Sequence, residues 1–329
     1  MKLATLEQIV SVYAHPNADK LALAKVLGYQ CVVPKGLYKG GELVVFVQPD
    51  TVLPDSEWAA EFKKYSPKRV KAIRLRSEWS EGIIVNLATV QHLVGELPAL
   101  GSELSDLLQV SKYIFAPPAD SEKQNLELLG DLPFNMPKTD EERFENLEKL
   151  PFGELVDISL KIDGQSCTIY YQHETDKFGV CGRNYEYKLE SENNYTNQAL
   201  LIKDKLVHFC QKNQVSLAFR GENYGVGIQR GAHNPYSFLP KGFACFNVYN
   251  ISQRRYERKG SPFYFAELCP QIGVEIAPLI EKNVALSEDI LKKYSVELKQ
   301  LNNQKFEGVV VKHADFSFKI INKHYDSEK

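Results

Sequence analysis

Apolar and polar residues alternate in short runs along the first hundred positions, at LATLEQIVSVYAH, KVLGYQCVVPKG, GGELVVFVQPDTVLP and KAIRLRSEWSEGIIVNL. A period of two marks a half-buried strand, and turn-forming residues separate the runs at Asn17-Ala18-Asp19, Lys35-Gly36 and Gly40-Gly41. Evenly spaced short strands of this kind predict a small β-barrel, an OB-like module over residues 1–110. The pattern lapses near Pro117-Pro118-Ala119-Asp120-Ser121, and a linker is expected over residues 111–135.

Past that point the period changes. In PKTDEERFENLEKL, Thr139 and Glu142 stand at capping-box spacing while Phe144, Leu147 and Leu150 recur at helical intervals, which predicts a short helix. From Glu154 onward, strand-like runs (LVDISLKID, SCTIYYQH, FGVCG, SLAFRGE, FACFNVYN, FEGVVVKH) alternate with helical stretches around 195–213 and 287–301. The expectation is an α+β protein: an OB-like barrel followed by a domain of antiparallel sheets flanked by helices over residues 136–329. Two domains suit a chain of 329 residues, and no internal repeat or low-complexity tract interrupts it.

Composition narrows the class. With 43% hydrophobic and 25% charged residues the chain reads as soluble and globular, and no apolar run is long enough to cross a bilayer. The N-terminus turns polar before a signal core could form, so an intracellular or cytoplasmic protein with no membrane partner is expected. Six cysteines lie at positions 31, 167, 181, 210, 245 and 269 without a C-x-x-C pair, which suits reduced structural thiols.

The net charge of −2 decides nothing about nucleic acid, but local clustering does bear on it. Between Lys63 and Arg76 stand seven basic residues and no acidic one: Lys63, Lys64, Lys68, Arg69, Lys71, Arg74 and Arg76. With Phe62 and Tyr65 among them, the tract suits an RNA backbone with an aromatic ring against a base, and equally suits a solvated basic loop. Arg254, Arg255, Arg258 and Lys259 form a second cluster that fits a solvated turn better.

The chemistry centres on Lys161 in ISLKIDGQS, at the end of an apolar strand and just ahead of Asp163 and Gly164. Glycine there reaches backbone conformations closed to other residues, and the turn can present an amine to a phosphate. A nucleophilic lysine must be deprotonated, so a depressed pKa is expected of it. Alone, K-x-D-G describes a β-turn with a solvated lysine just as well. Four further segments follow in order: CGRN at 181–184, FRGE at 219–222, FACFNVYN at 243–250, and FEGVVVKH with FSFKIIN from 306 to 322.

This ordered set resembles the nucleotidyltransferase motifs shared by ATP-dependent DNA ligases, RNA ligases and mRNA capping enzymes, over roughly residues 154–325. The resemblance implies that Lys161 becomes AMP-linked, with Glu307 and Lys319 as further catalytic residues. It implies ATP contacts at Asp163, Gly164, Arg183, Glu222, Phe246, Lys312 and Lys319, and a Mg²⁺ or Mn²⁺ ion held by Glu307 and Glu222. Taken singly, Arg183 suits a surface arginine, Glu222 and Glu307 solvated strand ends, and Phe246 a core position.

The chain departs from the family pattern at four places. Ser166 and Leu160 stand where relatives carry Arg and Glu, Asn247 where they carry Asp, and the usual K-x-K reads Lys319-Ile320-Ile321, with Lys323 following. An OB-like module in front of the motifs is similar to a class of RNA ligases with N-terminal OB domains; DNA ligases and capping enzymes carry theirs behind. HPNADKLALAKV and LRSEWSEGIIV also resemble tRNA-binding OB domains of synthetase-associated proteins.

What the resemblance implies is an ATP-dependent RNA ligase, a monomer joining 3′-OH and 5′-phosphate RNA ends in a nicked duplex through lysyl-AMP and an adenylylated 5′ end. A DNA ligase, a GTP-dependent capping guanylyltransferase and an RNA-binding protein without turnover remain the alternatives.

Overall fold

The computed structural model describes residues 2–113, 128–137 and 140–329. The chain forms two compact units: Met1–Phe115 with Glu142–Leu150 and Asp326–Glu328, and Ala116–Glu141 with Pro151–Tyr325 and Lys329.

The first unit contains β1 (Ala4–Ala14), β2 (Leu21–Val26), β3 (Tyr29–Pro34), β4 (Leu43–Val47), β5 (Thr51–Val52), β6 (Ile73–Leu75), β7 (Glu78–Ser80), β8 (Ile83–Asn86) and β9 (Ser111–Lys112). Helices α1 (Glu57–Lys63) and α2 (Leu87–Val94) lie among them. Five strands make an antiparallel sheet in the order β3-β2-β1-β4-β8. Strand β1 serves two partners, β4 through residues 4–8 and β2 from Ile9 onward, with a bulge between Ile9 and Ser11. A bulge bends its strand, and here it curls the sheet around Ile9, Ala24, Val26, Tyr29, Phe46 and Ile84. Both faces of β4 are covered: Val44 and Phe46 join that core, and Val45 and Val47 join a second one with Trp58 and Val90. That double burial is why β4 reads as continuously apolar rather than alternating.

The helix expected from PKTDEERFENLEKL does not form. Thr139 lies outside the described residues, and beyond Glu142 there is only a 3₁₀ turn, Phe144–Asn146, in the first unit. Arg143 is extended and buried, donating to Asp50 Oδ2 at 3.1 Å, and the Glu145 carbonyl accepts from Gly28 N at 2.7 Å. Tertiary partners claim the groups a helix would use, overriding a weak local preference. The expected linker is corrected in part: Pro117–Ser121 lie outside the described residues, while residues 128–131 form a strand.

The second unit contains β10 (Leu128–Asp131), β11 (Leu155–Leu160), β12 (Gln165–Gln172), β13 (Lys177–Cys181), β14 (Tyr185–Tyr187), β15 (Leu217–Tyr224), β16 (Gly242–Asn250), β17 (Arg255–Glu257), β18 (Leu279–Ala285), β19 (Gly308–Lys312) and β20 (Ser317–Ile321). Its helices are α3 (Asn194–Asn213), α4 (Phe265–Gln271), α5 (Glu288–Lys292) and the first turn of α6 (Lys323–Glu328), whose last three residues belong to the first unit. Two antiparallel sheets result, ordered β10-β14-β13-β12-β15-β16-β17 and β18-β11-β19-β20. A capping box at Asn193 and Thr196 starts α3, which lays Ala199, Leu206 and Cys210 onto the core of the larger sheet. The helical run expected over 287–301 ends early, α5 passing into a π-turn at Lys293–Glu297. All six cysteines are buried and unbridged. Among the described residues, no helix is long and apolar enough to cross a membrane.

Candidate active site

Strand β11 stops at Leu160, but the amide of Lys161 still donates to Gly308 O on β19 at 3.0 Å, so Lys161 leaves the smaller sheet from a fixed point. The turn through Asp163 and Gly164 then enters β12 in the larger sheet. Gly164 is required for space rather than for an unusual φ. A Cβ there would fall 2.3 Å from Asn223 O and 2.7 Å from Glu222 Cγ. Two amides from the 225–241 loop hold the turn from outside: Asn234 Nδ2 donates to Asp163 O at 2.9 Å, and Gln229 Nε2 to Gly164 O at 3.1 Å.

Around this turn the charged groups interlock. Lys161 Nζ donates to Glu307 Oε2 at 2.6 Å. Lys329 Nζ donates to Glu307 Oε1 at 3.2 Å and to Asp163 Oδ1 at 2.9 Å, while Tyr325 OH donates to Asp163 Oδ2 at 2.8 Å. Backbone contacts fix Glu307: its carbonyl accepts from Asn322 N at 2.9 Å, and a Cβ on Gly308 would lie 2.2 Å from Ile320 O.

Three carboxylates (Asp163, Glu222 and Glu307) therefore share two ammonium groups, and burial makes the imbalance count. Glu307, despite its burial, is held down at about 2 by Lys161 and Lys329. Burial pushes Glu222 up to about 8; Lys161 pulls against this, and Glu307 and Asp163 add to it. Asp163 is raised by burial and by Glu307. Burial alone would lower Lys161, but Glu307 outweighs it and the amine sits above its ordinary value. The depressed pKa expected of a nucleophile is thus not what this arrangement gives, because the carboxylate that positions the amine also keeps it protonated.

Phe246 lies on β16, packed with Ile162, Tyr224, Tyr236 and Ala277. The Lys312 ammonium stands 5.8 Å from its ring centroid. Lys312, expected at a phosphate, is only 3% exposed, and its amine donates to Asn247 Oδ1 at 2.9 Å and Glu141 Oε1 at 3.1 Å. Its contacts back the aromatic side of the pocket instead. The departure at position 247 has the same explanation, since a neutral Asn there accepts from Lys312 and donates to Glu141. Arg183 pairs with Asp140 at 2.5 Å. Lys319 stands opposite Val310 in the β19–β20 ladder, half-buried.

A family model described as RNA ligase matches residues 154–323, more than half of the chain. The chain belongs to the RNA ligase family. A second model, described as an OB-fold domain, matches residues 3–87, the curled sheet of the first unit. Solved structures of a Naegleria gruberi RNA ligase share the fold from end to end. A variant with AMP and Mn is 25% identical with a TM-score of 0.83, covering 100% of this chain and 99% of that one. A variant with ATP and Mn is 26% identical at 0.83 with the same coverage, and the ligase with PPi is 26% identical at 0.82, covering 99% and 98%. No curated protein matches the chain.

In this RNA ligase the basic tract of the OB-fold unit is divided by its packing. Arg69 is 5% exposed and donates to Asp50 at 2.8 Å and Asp326 at 3.1 Å, so it is removed from any RNA-facing set. Lys71 donates to Ser327 O at 2.8 Å, and Lys63 pairs with Asp55. Lys64, Lys68, Arg74 and Arg76 are exposed, beside a Tyr65 that is 65% exposed. Sequence reasoning missed Tyr325, Lys329, Asn234 and Gln229. The two amides lie in a loop without periodicity, whereas Tyr325 and Lys329 stand at helical i, i+4 spacing, a signal that was present.

Proposed function

We propose that this RNA ligase is ATP-dependent and seals RNA 3′-OH and 5′-phosphate ends through a lysyl-AMP intermediate on Lys161. One observation carries the reading: the Lys161 amine emerges at the edge of one sheet, paired with Glu307, while Glu222 and Phe246 reach the same turn from the other sheet. The Naegleria ligase structures hold ATP, AMP, Mn and PPi, which are the substrates, products and ion of such a step.

In the first step Lys161 Nζ, having lost a proton to solvent, attacks the α-phosphorus. A P–N bond forms, and the bond from that phosphorus to the bridging oxygen breaks, pyrophosphate leaving with the electron pair. AMP then passes to an RNA 5′-phosphate oxygen, restoring the lysine, and the 3′-OH displaces AMP to close the phosphodiester. Phe246 would stack on adenine and Glu222 would bond the ribose, with Gly164 and Asp163 shaping the phosphate end of the pocket. Lys319 would lie by the α-phosphate. Arg183, once free of Asp140, would meet the acceptor phosphate.

Among the described residues no three His, Cys, Asp or Glu side chains form a ready-made metal cage. The donor set still fits a hard cation, since crowded carboxylates, one of them pushed up to about 8, gain from added positive charge. Glu307 and Glu222 would hold Mg²⁺ or Mn²⁺ or its waters. When bound, the ion supplies charge that offsets the phosphates.

The exposed Lys64, Lys68, Arg74 and Arg76 are offered as the RNA contact of a monomer working on nicked duplex. Buried, unbridged thiols suit an intracellular setting.

The test is α-labelled ATP with a divalent ion, followed by denaturing electrophoresis. Label should remain with the wild type and not with Lys161→Ala. Label retained by the variant sinks the reading, and GTP or a DNA nick working better would redirect it to a capping enzyme or DNA ligase.

A further inference from the structure

Helix α6 brings a lysine into the pocket that the motif pattern does not include. Asn322 caps the helix by accepting from His324 N and Tyr325 N, and donates to Leu298 O at 2.7 Å. Tyr325 and Lys329 then share one face at i, i+4, and the Lys329 amide donates to Tyr325 O at 3.1 Å. Both side chains end on Asp163, one on each carboxylate oxygen. At the usual second lysine of the terminal motif stands Ile321, buried and paired with Gly308.

Resting on the lysyl-AMP reading above, we infer that Lys329 is a catalytic cation of the adenylylation step, contacting the α-phosphate and serving where the second K-x-K lysine is missing. Lys329 and Lys161 bond the two oxygens of one carboxylate, at 3.2 and 2.6 Å, so their amines are neighbours. An α-phosphorus within reach of Lys161 Nζ, about 3–3.5 Å in a reactive geometry, comes alongside the Lys329 ammonium. Without that ammonium the polyphosphate would face Asp163, Glu222 and Glu307 with one cation fewer, and Lys161 gives up its charge to react. As the P–N bond forms and the bond to the departing pyrophosphate breaks, negative charge on the phosphoryl oxygens needs a cation that stays protonated. Lys329 supplies it without itself exchanging a proton.

The experiment is single-turnover adenylylation by wild type, Lys329→Ala, Lys329→Arg and Lys161→Ala proteins. Loss of the Lys329 ammonium should slow adduct formation about 100-fold at saturating ATP, with a smaller change in KM. Because Asp163 and Glu307 lose a shared cation, the melting temperature should fall as well, so rates are compared at a temperature where every variant is folded. Arginine, or ethylammonium added to Lys329→Ala, should restore part of the rate. In a Lys161→Ala background, which cannot form the adduct, adding Lys329→Ala should weaken ATP binding about tenfold. A wild-type rate in Lys329→Ala, or a slow rate that neither arginine nor ethylammonium improves, overturns the assignment. Absence of adduct in the wild type would instead overturn the lysyl-AMP reading on which it rests.

Discussion

The Lys161 amine and the Glu307 carboxylate lie 2.6 Å apart, and each sets the protonation of the other: Glu307 is held at about 2 and Lys161 is raised. The pair is well placed and chemically locked at once. Replacing Glu307 with Gln keeps the shape but leaves burial, which lowers a lysine, opposed by weaker forces. The Lys161 pKa should therefore fall in Glu307→Gln, read as the pH midpoint of competitive acetylation at that lysine. Adduct formation with ATP should nevertheless drop about 100-fold, because a charge-placing carboxylate has gone. An unmoved midpoint would show that Glu307 does not hold the proton on Lys161.

Glu222 gives a pH dependence of the opposite kind. Its folded value of about 8 lies above its ordinary 4.5, so the native state binds this proton more tightly than the unfolded chain. Unfolding then releases a proton between those values, and stability falls as pH rises through the window, by up to about 1.4 kcal/mol per unit. Glu222→Gln cannot ionise and escapes this loss. The melting-temperature advantage of Glu222→Gln over wild type, without nucleotide or metal, should grow from weakly acidic pH to about 8 and then level off. A gap that stays flat across the range would place the Glu222 carboxyl in contact with water.

Both of these sites were legible in the sequence as residues but not as states. Order and content of the motifs picked out Lys161 and Glu307 beside strand ends, and Glu222 and Phe246 within strands that the apolar runs mark out. Protonation was not legible, since it depends on which carboxylate lies opposite a lysine 146 positions away. Period-two runs located the strands of both units. The helix expected near Glu142 failed because Asp50 and Gly28, distant in sequence, take its side-chain and backbone groups. Arg69 was read from charge and Lys312 from the motif pattern, and neither says whether a cation faces solvent or a buried partner such as Asp326 or Glu141.

Gly164 offers a test of the pocket's shape. A methyl group at this position meets the Asn223 carbonyl at 2.3 Å, and backbone cannot swing aside as a flexible side chain does. Gly164→Ala should push the turn away from β15, separating Lys161 from Glu222. The expected result is a protein destabilised by about 1–3 kcal/mol in urea that forms little adduct with ATP, while Gly153→Ala, at an open surface turn, changes stability without abolishing the adduct. Normal adduct formation by Gly164→Ala would mean that the turn tolerates displacement.

The basic tract separates folding from RNA contact within one segment. Arg69 is buried between Asp50 and Asp326, so Arg69→Ala leaves two carboxylates without their shared cation and should cost about 3–5 kcal/mol of stability. Lys64 and Lys68 are exposed, so their reversal to Glu leaves the core untouched. The Lys64→Glu, Lys68→Glu double variant should melt as the wild type does and form lysyl-AMP at the same rate, yet seal nicked RNA poorly. The defect should show as a shallower dependence of sealing on salt, because fewer counterions are released when fewer phosphates are neutralised. Equal loss of adduct and sealing would assign the tract to the fold, and unchanged sealing would move the RNA path to another face.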